Sequence, residues 1–222
     1  MIVTLESVLT PDEVNRMVSR LETAQFVDGR ATAGATAARA KKNLELSGQD
    51  ELQELSDLVI AAISRNEGFR LYAMPLRMLP PIFSKYEVGM YYDEHVDGPL
   101  MQGNMLTRTD LSFTIFLSDP RGYEGGELVI ESDGVSKPVK LRAGSAVLYP
   151  STTLHKVEAI TKGTRLAAIG WVQSLVRDTQ KRDLLADLAR VSAWARETAP
   201  DAKEASLPGM IYSNLVRMWS EL

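Results

Sequence analysis

The chain holds two histidines in 222 residues, and the surroundings of both are those of metal ligands. His95 stands in Tyr92-Asp93-Glu94-His95-Val96-Asp97, and His155 closes Tyr149-Pro150-Ser151-Thr152-Thr153-Leu154-His155. Residues two apart in a strand face the same side, so His95 and Asp97 can address one metal ion together. Two imidazoles and a carboxylate make a facial set that suits ferrous iron and leaves coordination positions open. His155, distant in sequence, would complete the set from another strand. Composition alone places an acid two residues after about one histidine in eight, since Asp and Glu number 29 of 222, so His-x-Asp says little by itself. The weight lies in the whole set: both histidines are used, each lies on a strand-like segment, and Arg165 follows His155 by ten residues.

Arg165 has a plain reading as one half of a surface ion pair, but its phase argues otherwise. Arg165, Ala167, Ile169, Trp171 and Gln173 share one face of a strand, and Leu166, Ala168, Gly170 and Val172 share the other. Both faces are largely apolar, which is the pattern of a strand buried on both sides. A buried guanidinium needs a carboxylate, and a dicarboxylate ligand held by a bidentate fork would provide one. Tyr86, nine residues before His95, is either a packed tyrosine at a strand end or a hydrogen-bond donor to that same carboxylate. Tyr91, Tyr92 and Trp171 read as pocket walls. Lys41-Lys42 reads as solvated, or as a basic loop near the pocket mouth that draws in an acidic substrate. No catalytic acid or base is expected, because no histidine is left over.

Composition narrows the field. There is no cysteine, which removes disulfides, iron–sulfur clusters, thiolate zinc sites and cysteine nucleophiles. The net charge of −4 shows no basic face for nucleic acid. No apolar run of about 18 residues would span a membrane, and Met1-Ile2-Val3-Thr4-Leu5-Glu6 has no basic leader pattern, so the expected location is cytoplasmic. Hydrophobic content of 45% allows a full core.

Three stretches of pattern would position these residues. Residues 1–78 read as helical: Thr10-Pro11-Asp12-Glu13 is a capping box, and a second helix is predicted over about 49–65 with Leu52, Leu55, Leu58, Val59 and Ala62 inward. Gly29 to Lys42 reads as a loop with a short helix. Residues 79–175 carry short alternating runs and turns, including Ser132-Asp133-Gly134, and predict an antiparallel sandwich or barrel. Its last strand pair is predicted as His155–Ile160 with Thr164–Gln173. Residues 176–222 return to helix, with a stripe of Leu184, Leu188, Val191 and Ala195 beside Trp194, then Ile211, Leu215, Met218 and Leu222. The stripes are expected to pack on the same chain, a homodimer through the terminal helices being the alternative.

Lys85-Tyr86, Tyr91-Tyr92 and His95-Val96-Asp97 resemble the first iron-binding strand of prolyl-4-hydroxylase-type dioxygenases. Arg108-Thr109-Asp110-Leu111-Ser112, Tyr123-Glu124-Gly125-Gly126-Glu127-Leu128, Leu148 to His155, Thr161 to Arg165 and Trp171-Val172-Gln173-Ser174 narrow the resemblance to the bacterial PKHD-type hydroxylases, over nearly the whole chain. The resemblance implies an α+β fold: a double-stranded β-helix, or jelly-roll, core over 79–175 with helical segments 1–78 and 176–222 packed on it. It implies Fe(II) on His95, Asp97 and His155, 2-oxoglutarate on Arg165 with Tyr86 as helper, dioxygen as co-substrate, and L-ascorbate (vitamin C) to keep the iron reduced. The implied reaction hydroxylates an unactivated C–H bond of a peptide or amino-acid-like substrate, releasing succinate and CO2; a small molecule is the second substrate choice. Two other readings stay open: an iron- or 2-oxoglutarate-responsive regulator, and a cupin-like enzyme with another metal.

Overall fold

The computed structural model describes residues 1–32, 40–103, 105–132 and 134–221. Among them, two antiparallel sheets face each other. Eight strands make the larger: β1 (Val3–Leu5), β2 (Phe26–Asp28), β4 (Leu44–Leu46), β5 (Pro75–Met78), β6 (Ile82–Tyr86), β10 (Leu111–Phe116), β14 (Ala146–Pro150) and β17 (Arg165–Ser174). Five make the smaller: β3 (Lys41–Lys42), β7 (Tyr91–His95), β12 (Leu128–Ser132), β13 (Val135–Val139) and β15 (His155–Val157). Two short ribbons, β8 (Leu100–Gln102) with β9 (Leu106–Arg108) and β11 (Tyr123–Gly125) with β16 (Ile160–Gly163), pair apart from both sheets. This is the expected jelly roll.

Alternation on the larger sheet builds two cores at once. Leu111, Phe113 and Ile115 of β10, Ala146 and Leu148 of β14, and Leu166, Ala168 and Val172 of β17 meet the helices. Their neighbours Phe116, Val147 and Tyr149 point between the sheets, with Tyr86, Tyr123, Leu128 and Ile130. On the helical side lie α1 (Pro11–Thr23), α2 (Gln49–Arg65) and α3 (Glu67–Ala73). The predicted capping box forms: Glu13 N–H donates to Thr10 Oγ1, and Thr10 N–H donates to the Glu13 carboxylate. Leu55, Val59, Ala62 and Ile63 of α2 are fully buried, each of the larger ones contributing about 1.5–3 kcal/mol. Phe69 of α3 meets Phe113 edge-on at 5.7 Å. Gly170 makes room for that ring, since a Cβ there would lie 2.3 Å from Phe113 Cζ.

Four expectations are corrected. The first third is not purely helical, because β1 to β5 join both sheets. These strands are two to four residues long, too short to show an alternating pattern. His155–Ile160 does not pair with Thr164–Gln173: β15 pairs with β12 and β7, β16 with β11, and β17 with β10, β6 and β5. Consecutive strands cross between sheets, so nearness in sequence misleads. Lys41 is not solvated; it is buried against the carboxylate of Glu45, while Lys42 is exposed. The stripe on α4 (Thr179–Thr198) faces outward, with Leu184 58%, Val191 48% and Trp194 64% exposed. The buried face instead carries Arg182, Leu185, Ala186 and Ser192. Arg182 Nη1 donates to the carbonyls of Val176 and Arg177, so a charged residue takes the inner face by closing the chain that precedes its own helix. In α5 (Leu207–Trp219), Tyr212, Leu215, Val216 and Trp219 pack inward. Residues 33–39 of the Gly29–Lys42 stretch lie outside the described residues; Gly29–Thr32 is a 3-10 turn. Ser132 pairs with Val135 as the predicted hairpin requires, although Asp133 lies outside the described residues. None of the described helices is long and apolar enough to cross a membrane.

Candidate metal centre

His95 ends β7 and His155 opens β15, and the antiparallel register sets them directly opposite each other. Asp97 follows on the same side as His95, its N–H donating to Ser151 O at 3.3 Å. One ligand atom from each of His95, Asp97 and His155 lies within 4.8 Å of the others. Asp97 is 4.0 Å from His95 Nε2 through Oδ1 and 3.9 Å from His155 Nε2 through Oδ2.

Both rings are oriented by the same device. His95 Nδ1 donates to Asp93 O at 2.7 Å and His155 Nδ1 donates to Thr153 O at 2.9 Å. A carbonyl can only accept, so the proton of each neutral ring sits on Nδ1 and the Nε2 lone pair is turned to the cluster. Burial and the adjacent His155 push the pKa of His95 down to about 4, leaving it neutral and ready to coordinate at pH 7. Asp97 is held as well. Its Oδ2 accepts from the Ser112 hydroxyl, and because that proton is committed, Ser151 donates to Ser112 Oγ at 2.7 Å. The donor set and its fixed lone pairs fit a ferrous ion.

Tyr92 stacks on His95 with ring centres 3.6 Å apart. Simple alternation would set Tyr91, not Tyr92, on the ligand side. A register shift between the His95–His155 and Tyr92–Val157 pairs flips the phase and sets Tyr92 against the His95 ring. Trp171 pairs with Ser112 across β10 and β17, and its indole N–H is buried with no partner among the described residues. Of the three expected walls, Tyr92 lies against the cluster through its stack on His95. Tyr149 meets His155 at 5.1 Å and feels Asp97 on one side and Arg165 on the other.

Arg165 opens β17 at 1% exposure, in the same space between the sheets. Its Nε and Nη1 have no hydrogen-bond partner among the described residues. Its Cζ lies 5.2 Å from the ring centre of Tyr86, its partner in register, and 5.5 Å from that of Phe116. Burial raises the Tyr86 phenol to about 12, against the pull of the Arg165 charge. Ser112, Ser151, Tyr149 and Tyr123 belong to this chamber and were not singled out from sequence; an alternating Ser112-Thr114-Phe116 face looks like ordinary strand interior.

The 2OG-Fe(II) oxygenase superfamily profile matches residues 81–173. A PKHD-type hydroxylase of Methylobacterium nodulans is 45% identical over 227 residues, covering 100% of both chains. A PKHD-type hydroxylase of Synechococcus elongatus is 46% identical over 225 residues, again covering 100% of both. Among solved structures, a prolyl hydroxylase from Trichoplax adhaerens, in complex with a hypoxia inducible factor oxygen degradation domain peptide fragment, shares the fold. Its TM-score is 0.57 at 18% identity, over 82% of this chain and 86% of that one. The superfamily carries with it Fe(II), 2-oxoglutarate and dioxygen. On its full-length identity to these relatives, the chain belongs to the PKHD-type hydroxylases of the 2OG-Fe(II) oxygenase superfamily and is an oxygenase enzyme.

Proposed function

We propose that the protein hydroxylates an unactivated C–H bond of a peptide or amino-acid-like substrate, converting 2-oxoglutarate and dioxygen to succinate and CO2. His95, Asp97 and His155 are the iron ligands, and Arg165 grips the far carboxylate of 2-oxoglutarate. Bound there, Fe(II) supplies the open positions at which oxygen is activated. The chain does the rest by position. The Nδ1 bonds of His95 and His155 aim both lone pairs, Ser112 and Ser151 fix Asp97, and Tyr92 and Trp171 keep water from the reacting centre. Tyr86 contributes its ring face to the guanidinium. Ascorbate serves to return oxidised iron to the ferrous state after uncoupled turnovers.

The observation that carries this reading is the buried guanidinium of Arg165, whose Nε and Nη1 have no hydrogen-bond partner among the described residues, in the same chamber as the three-ligand cluster. An uncompensated buried charge is costly, and a diacid ligand removes that cost. A peptide substrate is supported by the exposed apolar side chains that follow Asp97 in the chain. The β8–β9 hairpin, just after Asp97, shows Leu100 55%, Met105 51% and Leu106 58% exposed, an apolar edge suited to side chains of an extended chain. The test is succinate formation from 2-oxoglutarate by the Fe(II)-loaded protein with a peptide library. Arg165→Ala should raise the 2-oxoglutarate requirement at least roughly 100-fold, as loss of a buried charge pair dictates; an unaltered requirement removes Arg165 from the role.

A further inference from the structure

Tyr123 is 3% exposed, and its ring is clamped from outside. Lys140 Nζ lies 4.1 Å from the ring centre and donates to Tyr123 O at 3.0 Å, Gly125 O at 3.1 Å and Glu127 Oε1 at 3.3 Å. On the inner side the Gly126 backbone packs between Tyr123 and Arg165. A Cβ on Gly126 would stand 3.2 Å from both Tyr123 Cε2 and Arg165 Cδ. The Tyr123 hydroxyl is buried and has no hydrogen-bond partner among the described residues, and neither have Nε and Nη1 of Arg165. Arg165 can only donate, so nothing in that pair accepts the phenolic proton. Burial raises the Tyr123 pKa, against the pull of the Arg165 charge, so the phenol stays protonated and can donate.

Tyr86 is the other phenol beside Arg165, its ring facing the guanidinium. Of the two hydroxyls, the one found buried with no hydrogen-bond partner among the described residues is that of Tyr123.

We propose that Tyr123 is a second donor to the far carboxylate of 2-oxoglutarate, its O–H adding to the N–H groups of Arg165, and that this pair makes the site choose a diacid over a 2-oxo monoacid. The proposal rests on the 2-oxoglutarate reading of the site given above. Tyr123 acts on binding only and takes no part in the chemical step.

The test is calorimetric titration of Mn(II)-loaded protein with 2-oxoglutarate and, separately, with pyruvate, for wild type, Tyr123→Phe, Tyr86→Phe and Arg165→Ala. A hydrogen bond to a charged group predicts that Tyr123→Phe weakens 2-oxoglutarate binding roughly 10- to 100-fold. Pyruvate affinity, Mn(II) affinity and the melting temperature should stay at wild-type values. Tyr86→Phe should bind 2-oxoglutarate nearly as wild type does. If Arg165→Ala loses binding while Tyr123→Phe keeps it, or if Tyr86→Phe takes the loss instead, the role of Tyr123 is overturned and the reading of the site stands. If wild type does not bind 2-oxoglutarate, or Arg165→Ala binds it as well as wild type, the reading itself falls and the proposal with it. Equal weakening of pyruvate and 2-oxoglutarate by Tyr123→Phe also overturns the proposal, because pyruvate has no far carboxylate.

Discussion

His95 and His155 face each other across neighbouring antiparallel strands, ring centres 4.2 Å apart, and each donates its Nδ1–H to the carbonyl two residues before it. Neither ring can turn without losing that bond, so both Nε2 atoms are committed to one point. His95→Ala and His155→Ala should therefore each abolish stoichiometric Fe(II) binding, read by metal analysis after anaerobic desalting, together with 2-oxoglutarate-dependent oxygen uptake. Full iron occupancy in either variant would show that the imidazole is no ligand.

Ser112 is wholly buried and spends its proton on Asp97 while accepting from Ser151. Ser112→Ala should lower metal affinity about 10- to 100-fold, as is typical when a bond that orients a metal ligand is removed. Competition with a chromogenic chelator reads this directly, and the melting temperature of the metal-free protein separates it from general damage.

Gly126 sits at φ 68°, and a Cβ there would fall 2.3 Å from Ile160 Cδ1. Gly126→Ala should destabilise the fold by about 1–3 kcal/mol through backbone strain and overpacking. It should also displace Arg165 and weaken 2-oxoglutarate binding. Urea unfolding and titration measure the two effects separately.

Lys41 and Glu45 form an ion pair with side chains 8% and 2% exposed. Removing the ammonium by Lys41→Met deprives the buried Glu45 carboxylate of a charged partner and should cost at least about 1–3 kcal/mol. Denaturant unfolding at neutral pH is the measurement; a stability equal to wild type would mean that Glu45 is satisfied without the lysine.

What could be read in the sequence follows the range of the forces involved. Thr10 and Glu13 announce their helix because a capping box is a local bond, and His95 with Asp97 announces a shared face because strand alternation is local too. Tyr92 was legible as a wall but not distinguishable from Tyr91, since the register shift that selects it depends on how β15 pairs with β7. Lys41 looked solvated because its partner, Glu45, meets it only once two short strands are folded against the sheets. The apolar stripe of Leu184, Val191 and Trp194 misled because Arg182 closes the preceding turn with its guanidinium and takes the inner face. Tyr123 stood in a motif of the resemblance but not as a site residue, since its meaning lies in its nearness to Arg165, 42 positions later in the chain.

The central claim is that three side chains hold one ferrous ion beside a site for a chelating 2-oxo diacid. Adding 2-oxoglutarate to the Fe(II)-loaded protein without oxygen tests it most directly. A visible charge-transfer band should grow to saturation at one equivalent in wild type and be absent in Asp97→Ala and His155→Ala. A colourless wild-type complex, or the same band in both variants, would contradict it.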